Sequence, residues 1–271
     1  VVVIQKEVGL LHMTGPTAEI LTVGNELLTG KTVNTNASHI SRELSEKGVP
    51  VDRITTVGDK VDEIATALSE ALLRMPRYVF VSGGLGPTFD DITVQAVARA
   101  LNRKLVSRHQ VLRWMAEAKG IDVSDLTQPL RKMALVPEKA DVIQNPVGSA
   151  PGLAIREGNT EIFVLPGVPR EMKEILRLHV LERIDRVGRL VCRSFVVEDV
   201  PEARIAPLID EVMKANSRVY VKSHVRPMVE GKSIIEVEVS MWAPEDGECE
   251  GLERAHRSLQ QALMEMGGTV V

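Results

Sequence analysis

Cysteine is nearly absent from this chain. Cys192 and Cys249 are the only two in 271 residues, too few for a disulfide scaffold or a four-thiolate zinc site. No stretch approaches eighteen apolar residues, which excludes a spanning helix. The opening VVVIQKEVGLLHM has neither a basic n-region nor an A-x-A cleavage site, so no secretory signal is read there. Charge of one sign is also missing. Lys and Arg number 33 against 37 Asp and Glu, a net charge of −4. That balance rules out a broadly basic nucleic-acid coat and gives no polybasic membrane anchor. There is no G-x-S-x-G elbow, no Walker A pattern, no G-x-G-x-x-G and no paired Cys and His. His39, His109 and His224 lack ligand spacing. These absences predict a cytoplasmic protein with reduced thiols that does not engage membranes.

What is present is an ordinary globular composition, 44% hydrophobic and 26% charged. The length predicts two domains and suffices for a core without disulfides or structural metal. The first part alternates strand and helix signals. AEILTV (18–23) reads as a buried strand, and 25–34 as a polar loop. Ala37, Ile40 and Leu44 mark one face of a helix ending at Gly48. Residues 49–57 form a second strand, and Val61, Ile64, Ala65, Leu68 and Leu72 a second helix stopping before Pro76. Residues 78–82 form a third strand, and Ile92, Val94, Val97, Ala98 and Leu101 mark the next helix. The stretch 108–135 reads as helical and more polar. Short strands follow at 140–143, 153–156 and 161–165, then a helix from Pro169 to about Arg186. This alternation predicts an α/β fold, a mostly parallel sheet with helices on both faces. A boundary falls near 187–190. Beyond it, a strand, a helix, a hairpin and a closing helix predict an α+β domain of about 80 residues.

In an open α/β sheet, ligands bind beyond the carboxyl ends of the strands. Three loops lie there: 24–36, 57–59, and Ser82-Gly83-Gly84-Leu85-Gly86-Pro87-Thr88-Phe89-Asp90-Asp91. The glycines let backbone N–H groups approach an oxyanion, and the following helix adds partial positive charge. Asp90 and Asp91 are adjacent carboxylates, and Asp59 and Glu26 can join them from neighbouring loops. Glycines for phosphate and carboxylates for a hard cation are what magnesium-assisted phosphate chemistry needs. Each feature also has a structural reading. Asp59 can be a helix N-cap. Asp90 and Asp91 can complement a helix dipole. The glycines can make a strand-to-helix turn, and Pro166-Gly167-Val168-Pro169 a rigid entry to a helix.

The stretches AEILTVGNELLTGKTVNTNASHIS, TVGD, SGGLGPTFDDIT, NPVGSAPG and LPGVPREM, taken together and in this order, resemble the N-terminal part of the competence/damage-inducible CinA family. They are more loosely similar to the molybdopterin-binding domain of the MoaB and MogA proteins. The resemblance runs from about Ala18 to Arg177, and the tail from Cys192 is similar to the family's small KH-like domain. It implies three segments: an N-terminal extension over 1–17, a molybdopterin-binding-like domain over 18–187 with a three-layer fold, and a KH-like domain over 192–271. Full-length bacterial members continue into a nicotinamide mononucleotide deamidase domain, for which these 271 residues show no counterpart, so deamidase activity is not expected.

By the same resemblance, Asp59 and Asp91 fall where pterin-binding relatives place active-site acids, and Asp90 is the extra acid of the CinA version. Gly83, Gly84 and Gly86, with Ser82 and Thr88 on the same loop, are expected at phosphate. Gly148, Ser149, Pro166, Gly167 and Pro169 are expected to line the far wall. Asn36 matches the family's T-N pair, and position 25 carries little weight. The implied activity is metal-dependent hydrolysis of ADP-ribose to AMP and ribose 5-phosphate, with a magnesium-class divalent ion on Asp59, Asp90 and Asp91 and Glu26 near the substrate. The alternatives are a molybdopterin-binding or molybdopterin adenylyltransferase-like protein, and a non-catalytic nucleotide- or RNA-binding module. The last fits poorly. Residues 192–271 hold nine basic and fourteen acidic residues, a net of −5, and lack the G-x-x-G loop that clamps nucleic-acid backbone. The expected partners are a small-molecule nucleotide and a second copy of the chain as a homodimer, not nucleic acid.

Overall fold

The computed structural model describes residues 15–229, 232–244, 247 and 249–271. The N-terminal extension expected over 1–17 therefore lies, through residue 14, outside the described residues. The chain divides into two compact units, Pro16–Asp185 and a second that contains Arg186–Val271.

The first unit is built on a six-stranded sheet. It begins with β1 (Ala18–Val23), α1 (Asn25–Leu28), α2 (Thr35–Glu46), β2 (Val51–Val57), α3 (Val61–Leu73), β3 (Tyr78–Ser82) and α4 (Thr93–Ala100). It continues through β4 (Leu105–Ser107), α5 (His109–Lys119), α6 (Gln128–Lys132), β5 (Leu135–Pro137), β6 (Asp141–Ile143), β7 (Gly152–Glu157), β8 (Thr160–Leu165) and α7 (Pro169–Ile175). The strand order is β2-β1-β3-β8-β7-β6. β2, β1, β3 and β8 run parallel, whereas β6–β7 and β7–β8 pair antiparallel, so the sheet is mixed.

β1 and β3 are buried along their whole length. That is why they read as continuous apolar runs: a central strand covered on both faces has no polar side to alternate with. β2 lies at the edge, and its middle is exposed. Ile64, Leu68 and Ala71 of α3 and Ala96 and Val97 of α4 pack into one apolar cluster with Val79 and Val81 of β3. Tyr78, Phe80 and Phe163 form a small aromatic group between β3 and β8.

Glu19 is the charged exception inside β1. It is only 5% exposed, and it accepts two hydrogen bonds from Arg74, from Nε at 2.6 Å and Nη2 at 2.7 Å. Arg74→Ala leaves this carboxylate buried and unpaired. Breaking a fully buried pair costs about 3–5 kcal/mol. Because Arg74 itself is 38% exposed, a loss of about 2 kcal/mol is expected, read as a lower urea midpoint at unchanged slope.

Several elements differ from the sequence reading. The polar loop expected at 25–34 opens with a helical turn, α1. The stretch 108–135 is not one helical region. It comprises α5, a 3-10 turn at Val123–Asp125 and α6, and then enters β5, which pairs with β4 as a two-stranded ribbon. The last helix is regular only to Ile175 and continues as a π-helical turn over Leu176–Val180. Segments of three to five residues carry too little periodicity to declare themselves.

The second unit follows the order β9 (Arg189–Glu198), α8 (Glu202–Ala215), β10 (Val219–Val229), β11 (Lys232–Ala243), α9 (Glu250–Glu265), β12 (Thr269–Val270). β10 and β11 form the expected hairpin in an antiparallel sheet ordered β10-β11-β9-β12. Its core holds Val197, Val237, Val239, Ile205, Leu252 and Leu259. Among the described residues no helix is long and apolar enough to cross a membrane.

Candidate functional site

The strand order dictates where a ligand can enter. From β1 the chain crosses to β2 on one side, then returns to place β3 on the other. The two connections diverge at the carboxyl ends of β1 and β3, and such a switch point leaves a crevice. A cleft of about 80 Å³ lies there, lined by residues that include Thr22, Val23, Glu26, Asn34, Asn36, Ser82, Gly83, Gly167 and Pro169.

Asn36 holds the cleft walls together. Its side chain is buried, and Nδ2 donates to Ser82 Oγ at 3.0 Å and to the Gly167 carbonyl at 2.9 Å. A carbonyl can only accept, so the amide orientation follows from Gly167. Ser82 in turn donates to the Pro166 carbonyl at 3.1 Å. The first turn of α2 is thus tied to the end of β3 and to the turn after β8. Asn36 Oδ1 is buried with no hydrogen-bond partner. Two positions earlier, Asn34 caps α2 by accepting from the Ala37 N–H at 3.1 Å, while its Nδ2 donates to Thr22 Oγ1 at 2.9 Å. Helical spacing marks this helix in the sequence. Its cross-links to residues 46 and 131 positions away do not show there.

The glycines of the third loop have structural causes. Gly83 has φ +114, and a Cβ there would overlap the Val23 carbonyl oxygen of β1. Its N–H donates to the Leu165 carbonyl at 3.1 Å, so that amide is already committed within the sheet. Gly84, with φ +67, lies against the Thr93 hydroxyl, and Gly86 against the Asp91 carboxylate.

The three aspartates do not act as helix caps. The N-cap of α3 is Lys60 and that of α4 is Ile92. Asp59 instead accepts from the Asn25 N–H at 2.8 Å, and its own N–H donates to Asn25 Oδ1 at 3.4 Å. Position 25, given little weight in the sequence, is the reciprocal partner of a candidate acid. Asp91 Oδ2 accepts from the Thr88 N–H at 2.8 Å, and the single Thr88 hydroxyl proton is shared between Asp91 Oδ2 at 2.5 Å and Asp90 Oδ1. That hydroxyl first, then Asp90's own backbone N–H, and least the Lys132 ammonium, hold the exposed Asp90 carboxyl below its ordinary pKa. Lys132 reaches the loop from α6 and donates to the Thr88 carbonyl at 2.5 Å. Nothing in the local sequence announces Lys132, which lies 44 residues from Thr88.

Among the described residues no three His, Cys, Asp or Glu side chains gather as a metal cage. Asp59, Asp90 and Asp91 therefore do not form one ligand group in this arrangement. The exposed Asp90 and the half-buried Asp91, both on Thr88, remain as a carboxylate pair. Magnesium is commonly held by one or two carboxylates, with water and substrate phosphates completing its shell, so the donor set of this pair fits a magnesium-class ion.

The far wall expected from Gly148, Ser149, Pro166, Gly167 and Pro169 divides in two. Gly167 and Pro169 line the cleft beside Gly83, and Pro166 lies behind it as acceptor for Ser82. Gly148 and Ser149 line a different cleft of about 620 Å³ with Trp114, Met115 and Lys119. Gly148 covers the Glu171 carboxylate, which accepts from Asn145 Nδ2 at 2.6 Å. Local spacing singled out neither Glu171 nor Asn145.

The model of the probable molybdopterin-binding domain matches residues 19–186. A protein of Metallosphaera sedula is 42% identical over 258 residues, covering 94% of this chain and 97% of that one. One of Pyrococcus furiosus is 45% identical over 224 residues, 80% of this chain and 87% of that one. The crystal structure of the protein CinA from Thermoplasma acidophilum, described as of unknown function, is 42% identical with a TM-score of 0.57. That match covers 60% of this chain and 95% of that one.

Proposed function

Because the chain belongs to the family of the probable molybdopterin-binding domain, we propose that it binds a phosphorylated pterin of the molybdopterin class at the carboxyl ends of β1 and β3. The observation that carries this reading is the cleft at the switch point of the sheet, between Gly83 and the first turn of α2. The N-terminus of that twelve-residue helix supplies partial positive charge for a phosphate. The test is the fluorescence of oxidised pterin released from the purified protein, followed by titration of the stripped protein with a pterin phosphate. Saturable binding supports the reading. No released pterin and no binding in the titration would remove it.

The Asp90–Asp91 pair favours a second reading at the same loop, hydrolysis of a nucleotide diphosphate such as ADP-ribose. Water adds to one phosphorus, the bridging P–O bond breaks, and AMP and ribose 5-phosphate leave. A magnesium-class ion on Asp90 and Asp91 would neutralise the diphosphate charge. The chain's own contribution is positioning: Thr88 and Lys132 fix the loop, and the Lys132 ammonium adds positive charge beside it. AMP release from ADP-ribose with added magnesium or manganese supports this reading, and no release with any divalent ion excludes it. In either case the working form is proposed to be a homodimer, which sedimentation tests directly.

A further inference from the structure

The cleft beside Gly83 is the smaller of two openings on this loop, about 80 Å³ against about 720 Å³ at the loop's other end. The helix N-terminus at its wall suits it to the phosphate of a ligand. The rest of a phosphorylated ligand extends along the same loops.

The loop that starts at Gly83 builds a second opening at its other end. A groove of about 720 Å³ is lined by Pro87, Thr88, Leu112, Pro129, Lys132 and Leu135, with Phe89 beside them. That volume falls within the about 300–1,000 Å³ of small-molecule sites. Phe89 is 91% exposed. A single exposed apolar side chain on a slack loop means little, but this loop is braced. Thr88 donates twice to Asp91, and Lys132 bonds the Thr88 carbonyl. The ring stands in solvent next to Asp90, on a loop whose backbone is braced at the preceding residue. Phe89 follows Gly83 by six residues, so their Cα atoms are at most about 20 Å apart.

We propose that Phe89 and this groove are the ring subsite of the ligand whose phosphate enters the Gly83 cleft. A planar heterocycle stacks on the Phe89 ring, against the wall made by Pro87, Leu112, Pro129 and Leu135, with the Lys132 ammonium beside its phosphate chain. The inference rests on the phosphorylated-ligand reading above. The shared chemistry is a flat heteroaromatic ring carrying a phosphate, which pterins and nucleobases both offer.

The experiment compares phosphorylated ligands with and without a flat ring, AMP against ribose 5-phosphate being the matched pair. Calorimetry measures AMP, ribose 5-phosphate and a pterin phosphate against wild type, Phe89→Ala and Phe89→Trp. Base stacking is worth about 1–3 kcal/mol by alanine substitution, which is at least about fivefold in affinity. The ring-bearing ligands are expected to bind at least about fivefold more tightly than ribose 5-phosphate. Phe89→Ala should erase that advantage and leave ribose 5-phosphate binding unchanged. Phe89→Trp should retain it, with fluorescence quenched on binding. Whichever ring compound shows the larger loss in Phe89→Ala identifies the ring type. If Phe89→Ala keeps the full advantage, or wild type shows none, the ring subsite is wrong while the phosphate reading stands. If wild type binds none of the three compounds, the phosphate reading fails and takes the subsite with it. If Phe89→Ala instead converts an oligomer into monomers, Phe89 is a subunit contact and the inference is overturned.

Discussion

Gly83→Ala is expected to cost about 2–6 kcal/mol of stability, a large part of the 5–15 kcal/mol typical of a whole domain. Two penalties add. The backbone at φ +114 belongs to glycine, and an L side chain held there stores about 1–3 kcal/mol of strain. The new methyl would also overlap the Val23 carbonyl oxygen, and overpacking typically costs a further 1–3 kcal/mol or so. Neither penalty is easily relieved. β1 and β3 are paired in register from Ala18↔Tyr78 to Thr22↔Ser82, and the Gly83 N–H is fixed on Leu165 of β8. Moving Val23 aside means breaking the sheet where it forms the cleft. Gly30→Ala is the control, because Gly30 also has positive φ, +70, but open space around it. It should cost only the backbone strain, about 1–2 kcal/mol. Equal urea midpoints for the two variants would show that the Val23 contact does not limit the loop.

That comparison also shows how much of the site was legible in the sequence. The glycine run after a buried strand was visible, and so was its position at the mouth of a parallel sheet. The sequence allows two reasons for it, an opening for phosphate or a strand-to-helix turn, and in the structure Gly83, Gly84 and Gly86 each make room for a protein atom. Periodicity reports which side of an element is buried, and it located β1, β3, α2, α3 and α4 because each is long and one-sided. It says nothing about which distant residue touches which. Asn25 with Asp59, Lys132 with Thr88 and Asn145 with Glu171 are separated by 34, 44 and 26 positions. The pairings exist only once crossovers bring loop to loop. The same reason misplaced Gly148 and Ser149. The motif order put them at the Gly83 cleft, but their loop turns over Glu171 and opens beside Trp114.

The structure changes the physical meaning of the expected result at Asp91. The sequence allowed a helix cap, but Asp91 is an acceptor that folds back on Thr88, beside a second carboxylate. Two substitutions separate its bracing role from its charge. Asp91→Asn keeps an amide oxygen that can accept the Thr88 N–H, and it removes one of two adjacent negative charges. The loop should persist, and the melting temperature should be kept or raised. Asp91→Ala removes the acceptor altogether. It should lose about 1–3 kcal/mol, for the hydrogen bonds from Thr88 to a charged carboxylate, and the loop should exchange its amides faster. If the carboxylate pair serves a metal-dependent diphosphate cleavage, both variants should lose turnover alike. The loss should exceed about a hundredfold, because second-shell groups alone are worth about 10–100-fold in metal affinity or activity. Asp59→Asn should keep its stability, since asparagine can still accept the Asn25 N–H. The measurement is AMP release from ADP-ribose at saturating magnesium, run beside thermal melts. Turnover near wild type in Asp91→Asn but not in Asp91→Ala would make Asp91 a loop brace and remove it from the chemistry. Near-wild-type turnover in both would leave the charge at position 91 with no part in the reaction.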